Sequence, residues 1–301
     1  MKAENNNNGE AEGMQRRGLL GRVGAGTIGA AALAAVTAGG LAASSTPAMA
    51  QGVTDVDIGN FALNLEYLEA EYYLRGITGT GLADSDTTGT GTRGSVTGGS
   101  QVAFKSSYLM QYLSKIAIDE QAHVKFLRTV LGAGAVARPA IDFTTAFTTL
   151  AQAAGLIVAG QTFNPFADEV SFLIGAFVFE DVGVTAYSGA AALITNKDIL
   201  SYAASILAVE AYHAGAVRSL LADIGGSAAA NQIAYLRAVL SGKPDEKPLT
   251  IAGNNFNFAP TDDQGQTFRR TPRQVLNIVY GAAGATKGLF FPAGMNGTIV
   301  A

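Results

Sequence analysis

The chain contains two histidines, and each stands three residues after a glutamate, in Glu120-Gln-Ala-His123 and Glu210-Ala-Tyr-His213. In a helix, residues i and i+3 share a face, so a carboxylate oxygen and an imidazole nitrogen reach toward one point. Mixed oxygen and nitrogen donors of this kind suit borderline first-row transition metals. With eleven glutamates among 301 residues, coincidence is a poor account of both pairs. The rival reading is a wet helix face on which each glutamate pairs with its own histidine, and the apolar pattern around the pairs decides between the two.

Alternating steps of four and three residues give Leu109, Leu113, Ile116, Glu120, His123, Leu127 and Val130 in one helical stretch. Another gives Ile199, Ala203, Ile206, Glu210, His213, Val217, Leu220 and Ile224. Both pairs replace core residues on an apolar seam that should face a bundle interior. Two further stretches carry one seam glutamate each, in Leu63, Glu66, Ala70, Tyr73 and in Leu173, Phe177, Glu180, Val184, Tyr187. Each of these glutamates is followed seven residues later by a tyrosine, so the order Glu-x6-Tyr then Glu-x2-His occurs twice. The two halves read as a structural repeat.

Four buried carboxylates repel one another and are costly to desolvate. Two divalent cations would balance them, and four Glu with two His is the set that holds two iron or two manganese ions in a helical-bundle core. The metal candidates are therefore Glu66, Glu120, His123, Glu180, Glu210 and His213. Tyr73 and Tyr187 either hydrogen-bond a ligand carboxylate or relay an electron, or else pack in the core with satisfied hydroxyls. Glu69 is off the seam and a lesser candidate for an extra ligand, Glu71 less so. Tyr212, also off the seam, is expected to pack against a neighbouring helix.

The stretches Asn60-Phe-Ala-Leu-Asn-Leu-Glu66-Tyr-Leu-Glu-Ala-Glu-Tyr-Tyr73 and Phe177-Val-Phe-Glu180-Asp-Val-Gly-Val-Thr-Ala-Tyr187 resemble the ferritin-like superfamily. More narrowly, they are similar to exported ferritin-like domain proteins related to plant desiccation-related proteins. The resemblance covers about residues 53 to 225. It implies an all-α fold, a ferritin-like four-helix bundle with a long crossover between helices 2 and 3, followed here by a carboxy-terminal extension. It further implies that Glu66 and Glu180 are singly supplied ligands, that Glu120 and Glu210 bridge the metals, and that His123 and His213 cap them. A long Gly/Thr insert after the first helix and the extension after the fourth depart from ferritin and speak against a closed cage.

Low charge content, abundant Ala and Gly, and a net charge of −4 with no basic stripe exclude nucleic-acid binding. Arg16 and Arg17 precede an Ala/Gly-rich apolar run from about Val23 to Ala43, and Ala48-Met49-Ala50 is a cleavage pattern. Residues 1–50 thus read as a twin-arginine export signal, which places the product in the periplasm or outside the cell, with no membrane span in the mature chain. The run is Gly-interrupted and followed by a cleavage site, which disfavours an uncleaved anchor. Twin-arginine export resembles a route for proteins folded before transport, which suits a metal loaded in the cytoplasm. The absence of cysteine excludes disulfides, thiolate ligands and thiol peroxidase chemistry.

The organisation expected is an export signal (1–50), a four-helix bundle (51–225), and an extension (226–301) that packs on the bundle or on a partner subunit. The first helix should run from about Thr54 to Arg75, and 76–100 should be a flexible surface insertion. The crossover between Gly132 and Asp168 should hold one short helix, and Asp198 should help cap the fourth bundle helix. Beyond the bundle, helices are expected from Ala228 to Leu240 and from Thr271-Pro272, as N-cap and N1, through Tyr280. Phe290, Phe291 and Pro292 should pack on the bundle or a second copy.

These features allow ferroxidase-like iron oxidation, peroxide scavenging of the manganese-catalase type, or substrate oxidation, all with dioxygen or peroxide as small-molecule partner and two Fe or Mn ions as cofactor. A homo-oligomer is compatible with the sequence. The competing class is a non-catalytic stress or envelope protein whose metals are structural or absent, and a third possibility is iron storage in a hollow assembly.

Overall fold

A computed structural model describes residues 52–243, 246–251 and 255–301. The export signal expected at 1–50 and part of the loop 242–248 lie outside the described residues. Four long helices form the bundle: α1 (Asp55–Thr78), α2 (Ser107–Leu131), α4 (Glu169–Ala190) and α5 (Lys197–Asp223). A short helix α3 (Thr145–Ala153) lies in the crossover, and α6 (Ser227–Ser241) and α7 (Pro272–Tyr280) follow the bundle.

Helix direction is fixed by two carboxylates at opposite ends. Glu169, the first residue of α4, accepts from the backbone N–H groups of Lys105 and Ser106 at the start of α2, so α2 and α4 run parallel. Asp55, the first residue of α1, accepts from the N–H groups of Thr195 and Asn196 at the start of α5, so α1 and α5 also run parallel. With α1 packed on α2 and α4 on α5, the order is up-down-down-up. Each carboxylate also sits at a helix N-terminus, where unsatisfied N–H groups and the helix dipole favour negative charge.

The capping chemistry follows the sequence closely. Thr54 and Asp57 form a reciprocal capping box on α1, as Thr271 and Gln274 do on α7, whose first residue is Pro272. The cap of α5 is Asn196, which accepts from the N–H groups of Asp198 and Ile199. Asp198, the expected cap, lies instead inside the first turn, where its charge meets the helix dipole.

Helix α1 continues to Thr78, where Gly79 closes it in the left-handed conformation. The segment beyond is stitched to the crossover, contrary to the expectation of a flexible insertion. Two strands, β1 (Val96–Thr97) and β2 (Ile141–Asp142), pair in parallel. Thr90 bonds Ala135 and Ala137, and Gly94 donates to Arg138. Arg138 is buried and pairs with Glu71 of α1, which also holds Arg75. A polar, Gly-rich composition hides such backbone pairing, because it carries no apolar period.

The crossover and the tail cover the α1–α4 side of the bundle. Tyr72 stacks on Phe172 at 4.6 Å and meets Phe143, Phe147 and Phe166, while Phe290 packs edge-on to Phe147 and Phe179. A Cβ at Gly76 would lie 2.2 Å from Phe172, so only glycine lets α1 and α4 approach this closely. Asn296 exchanges backbone hydrogen bonds with the buried side chain of Asn64 and bonds Thr92 and Ala137, tying the end of the chain to α1, the insertion and the crossover together. The tail thus packs on the bundle of its own chain. At the back of α4, buried Asp181 receives Arg218 and Arg237, and Glu246 receives Arg237 and Arg270.

The stretch Glu169–Leu193 is long and apolar enough to cross a membrane, yet 89% of its most apolar window is buried within the protein. It is the core helix of the bundle.

Candidate metal centre

The four seam glutamates and both histidines converge. Glu66, Glu120, Glu180 and Glu210 are between 0% and 1% exposed, and His123 and His213 are 8% and 5% exposed. Donor atoms of Glu66, Glu120, His123 and Glu210 fall within 4.8 Å of one another, and so do those of Glu120, Glu180 and His213. Glu120 belongs to both groups. Glu210, for which a bridging role was also expected, groups only with the His123 side. Its Oε2 lies against Gly183, 2.1 Å from where a Cβ would stand.

Both imidazoles turn Nδ1 inward. His123 Nδ1 lies 3.2 Å from Glu66, 3.4 Å from Glu120 and 3.7 Å from Glu210. His213 Nδ1 lies 2.9 Å from Glu120 and 3.7 Å from Glu180. The outer nitrogen of His213, Nε2, meets Asp119 at 3.1 Å, and Asp119 pairs in turn with Lys115. A carboxylate behind a ligating imidazole fixes its orientation and raises its basicity. Sequence reasoning missed Asp119, although its place directly before Glu120 was a readable signal. The equivalent place before Glu210 is Val209, which cannot do this for His123.

The two tyrosines cross between the halves. Tyr73 of α1 donates to Glu180 Oε1, and Tyr187 of α4 donates to Glu66 Oε1. One oxygen of each carboxylate is thereby taken, and the other, Oε2, faces a histidine Nδ1. The hydroxyls orient carboxylates and are not merely satisfied within the core. Of the residues off the seam, Glu71 is paired with Arg138 and Arg75, and Tyr212 is 78% exposed, so the expectation that it packs on a neighbouring helix does not hold. Its place in the repeat points outward from the bundle. Glu69 is buried but lies outside both donor groups; burial, then Glu120 and Glu180, push its carboxyl well above the usual range.

The electrostatics show how strongly the cluster calls for positive charge. Burial pushes Glu66 up to about 7 and Glu180 up to about 8, against the pull of His123 and His213 respectively. Burial and then Glu120 raise Glu210 well above the ordinary value. Against burial, Glu66 and Glu120 lift His123 to about 11, and Glu120 and Glu180 lift His213 to about 9. Burial opposes the charge on Glu120 too, but both histidines hold it well below the usual carboxylate range. Protons supply the positive charge that the carboxylates require.

Hydrogen bonding makes the same point. Both oxygens of Glu120, both of Glu210, Oε2 of Glu180 and Nδ1 of His213 are buried without a well-aligned hydrogen bond among the described residues, the close approach of His213 to Glu120 being an ion-pair contact. A buried polar atom left unpaired costs about 1–3 kcal/mol. So many converging on one spot fit metal coordination by a carboxylate–histidine set.

Fold and site together define a helical-bundle protein with a buried carboxylate–histidine cluster. The ferritin-like domain model matches residues 54–223, and the chain belongs to that family. It is 28% identical over 266 residues to the ferritin-like catalase Nec2 of Nesocodon mauritianus, covering 81% of this chain and 84% of that one. It is 27% identical over 249 residues to the desiccation-related protein PCC13-62 of Craterostigma plantagineum, covering 76% of this chain and 79% of that one. No solved structure matches it.

Proposed function

We propose that this protein is an exported peroxide-scavenging enzyme with a dinuclear manganese or iron centre, disproportionating two hydrogen peroxide molecules into dioxygen and two waters. The observation that carries the reading is the convergence of buried Glu120, Glu180, Glu210 and His213 atoms, without well-aligned hydrogen bonds, on a site shared through Glu120. A relative named as a catalase across four fifths of the chain favours peroxide over iron as substrate. Such a pair of ions, when bound, supplies the two-electron redox chemistry that no side chain here provides.

Glu66, Glu120, His123 and Glu210 would hold one ion, and Glu120, Glu180 and His213 the other. Tyr73 and Tyr187 restrict Glu180 and Glu66 to one free oxygen each, so each would hold an ion through that oxygen alone. Residues 1–50 and a likeness to a desiccation-related protein support export and a role in stress protection.

The test is peroxide decay with simultaneous dioxygen release by protein purified with its native metal, alongside elemental analysis. One dioxygen per two peroxides, lost in Glu120→Ala, is expected. If peroxide is stable and metal removal lowers only the melting temperature, the metals are structural and the protein is not a catalase.

A further inference from the structure

An apolar cavity lies at the end of the bundle where α1 and α5 begin and α2 and α4 finish. It leaves about 80 Å³ of room for the centres of water-sized molecules and is partly open to solvent, more than a single water needs. Its deep wall is made by Phe61, Leu65, Leu127 and Tyr187, all buried. Its mouth is rimmed by half-exposed apolar side chains, including Phe126 and Tyr202, which meet edge to face at 5.2 Å across α2 and α5. Small residues create the space, with Ala62 on α1, Ala186 and Ala190 on α4, and Ala203 on α5.

Charge defines the occupant. Among the described residues, Asp55 is the one charged residue in the lining, and its carboxylate is already engaged by Thr195 and Asn196. The lining therefore offers no cation among those residues, and an anion entering it would be desolvated without a partner. The ring of Tyr187 forms part of the deep wall while its hydroxyl holds Glu66, so an occupant would sit one side chain away from the carboxylate cluster.

We propose that this cavity is a binding site for an uncharged, largely apolar small molecule, seated against the ring of Tyr187. The proposal goes beyond peroxide removal, which needs no such site, and binding here does not depend on metal.

The experiment is a fluorescence titration of the full-length chain with phenylnaphthylamine, a neutral apolar fluorophore, followed by displacement with decanol and with decanoate at neutral pH. Saturable one-to-one binding is expected, displaced by decanol and not by decanoate. Ala190→Phe and Ala203→Phe fill the cavity from two helices, and each should weaken binding by about tenfold or more, an effect of the size that single pocket groups exert. Circular dichroism confirms that each variant is folded, and the decanol–decanoate comparison on the unaltered chain requires no variant at all.

Absence of saturable binding, equal displacement by decanoate, or unchanged binding in both folded variants would overturn the proposal. Binding that vanishes as protein concentration rises and a dimer forms would overturn it too, since a second copy would then cover the mouth. Metal content measured on the same samples separates the two readings. Probe binding without metal defeats the dinuclear centre alone, whereas metal without probe binding defeats this site alone.

Discussion

Tyr73 on α1 donates its hydroxyl hydrogen to Glu180 on α4, and Tyr187 on α4 makes the same bond back to Glu66 on α1. Each tyrosine follows its own helix's glutamate by seven residues yet serves the glutamate of the other half. The repeat is therefore a contact across the bundle, and each half-site is completed by the opposite one. Tyr73→Phe or Tyr187→Phe leaves a buried carboxylate oxygen without its donor, at a cost of about 1–3 kcal/mol. Denaturant melts should show losses of similar size for the two variants.

Asp119 supports His213, and the corresponding position before Glu210, Val209, gives His123 no such support. Asp119→Asn keeps the shape and removes the charge, and loss of such a partner lowers metal affinity by about 10–100-fold. Competition with a coloured chelator should show the loss on one ion only. If both ions weaken equally, the centre acts as a single unit and the asymmetry has no energetic meaning.

Glu120 belongs to both donor groups and His213 to one. Glu120→Ala is expected to abolish binding of both ions. His213→Ala should leave about one ion per chain of the two that this ligand set holds. Elemental analysis after gel filtration checks both.

Protons and metal compete for the cluster, which sets the pH dependence. Folding raises Glu66 from 4.5 to about 7 and Glu180 from 4.5 to about 8, chiefly through burial. It also raises His213 from 6.5 to about 9. All three groups bind protons more tightly folded than unfolded. The histidine contribution is complete below about 6.5 and lost by about 9, and the carboxyl groups add a penalty that grows from 4.5 to about 8. Glu120 works in the opposite sense, losing its contribution only in strong acid. Chelator-treated protein should therefore melt at progressively lower temperature between about pH 6 and pH 9, whereas metal-loaded protein, in which ions replace the protons, should change little.

Gly183 gives a prediction of inverted sign. Ala for Gly inside a helix ordinarily stabilises by about 1 kcal/mol. Here the new Cβ would lie 2.1 Å from Glu210 Oε2 and 3.5 Å from Glu69. Gly183→Ala should destabilise by about 1–3 kcal/mol, as overpacking does, and should lower metal content by displacing Glu210. A calorimetric melt that rises would show that Glu210 can move aside freely.

The parts of the molecule that obey a helical period are legible in the order of the residues. The seam steps locate the bundle helices and bring Glu66, Glu120, His123, Glu180, Glu210 and His213 to one place, because a buried polar residue on an apolar stripe has nowhere else to point. The seam fails at its end, where Val130 is 39% exposed at the open apolar cavity between α1, α2 and α5. Contacts between segments distant in sequence leave no period to read. The pairing of 90–97 with 135–142, the Asp181–Arg218–Arg237 network and the Asn64–Asn296 exchange all depend on three-dimensional geometry, and none follows from composition. The reciprocal choice of the tyrosines is equally hidden, since spacing along one helix does not say which neighbour a hydroxyl will meet.

The burial of α4 also protects the chain against self-association. Before the core closes, the stretch 169–193 exposes a run long and apolar enough to cross a membrane, with Glu180 and Asp181 at its middle. Only the closed bundle conceals it. A variant that folds slowly should therefore aggregate through α4 while that helix is uncovered.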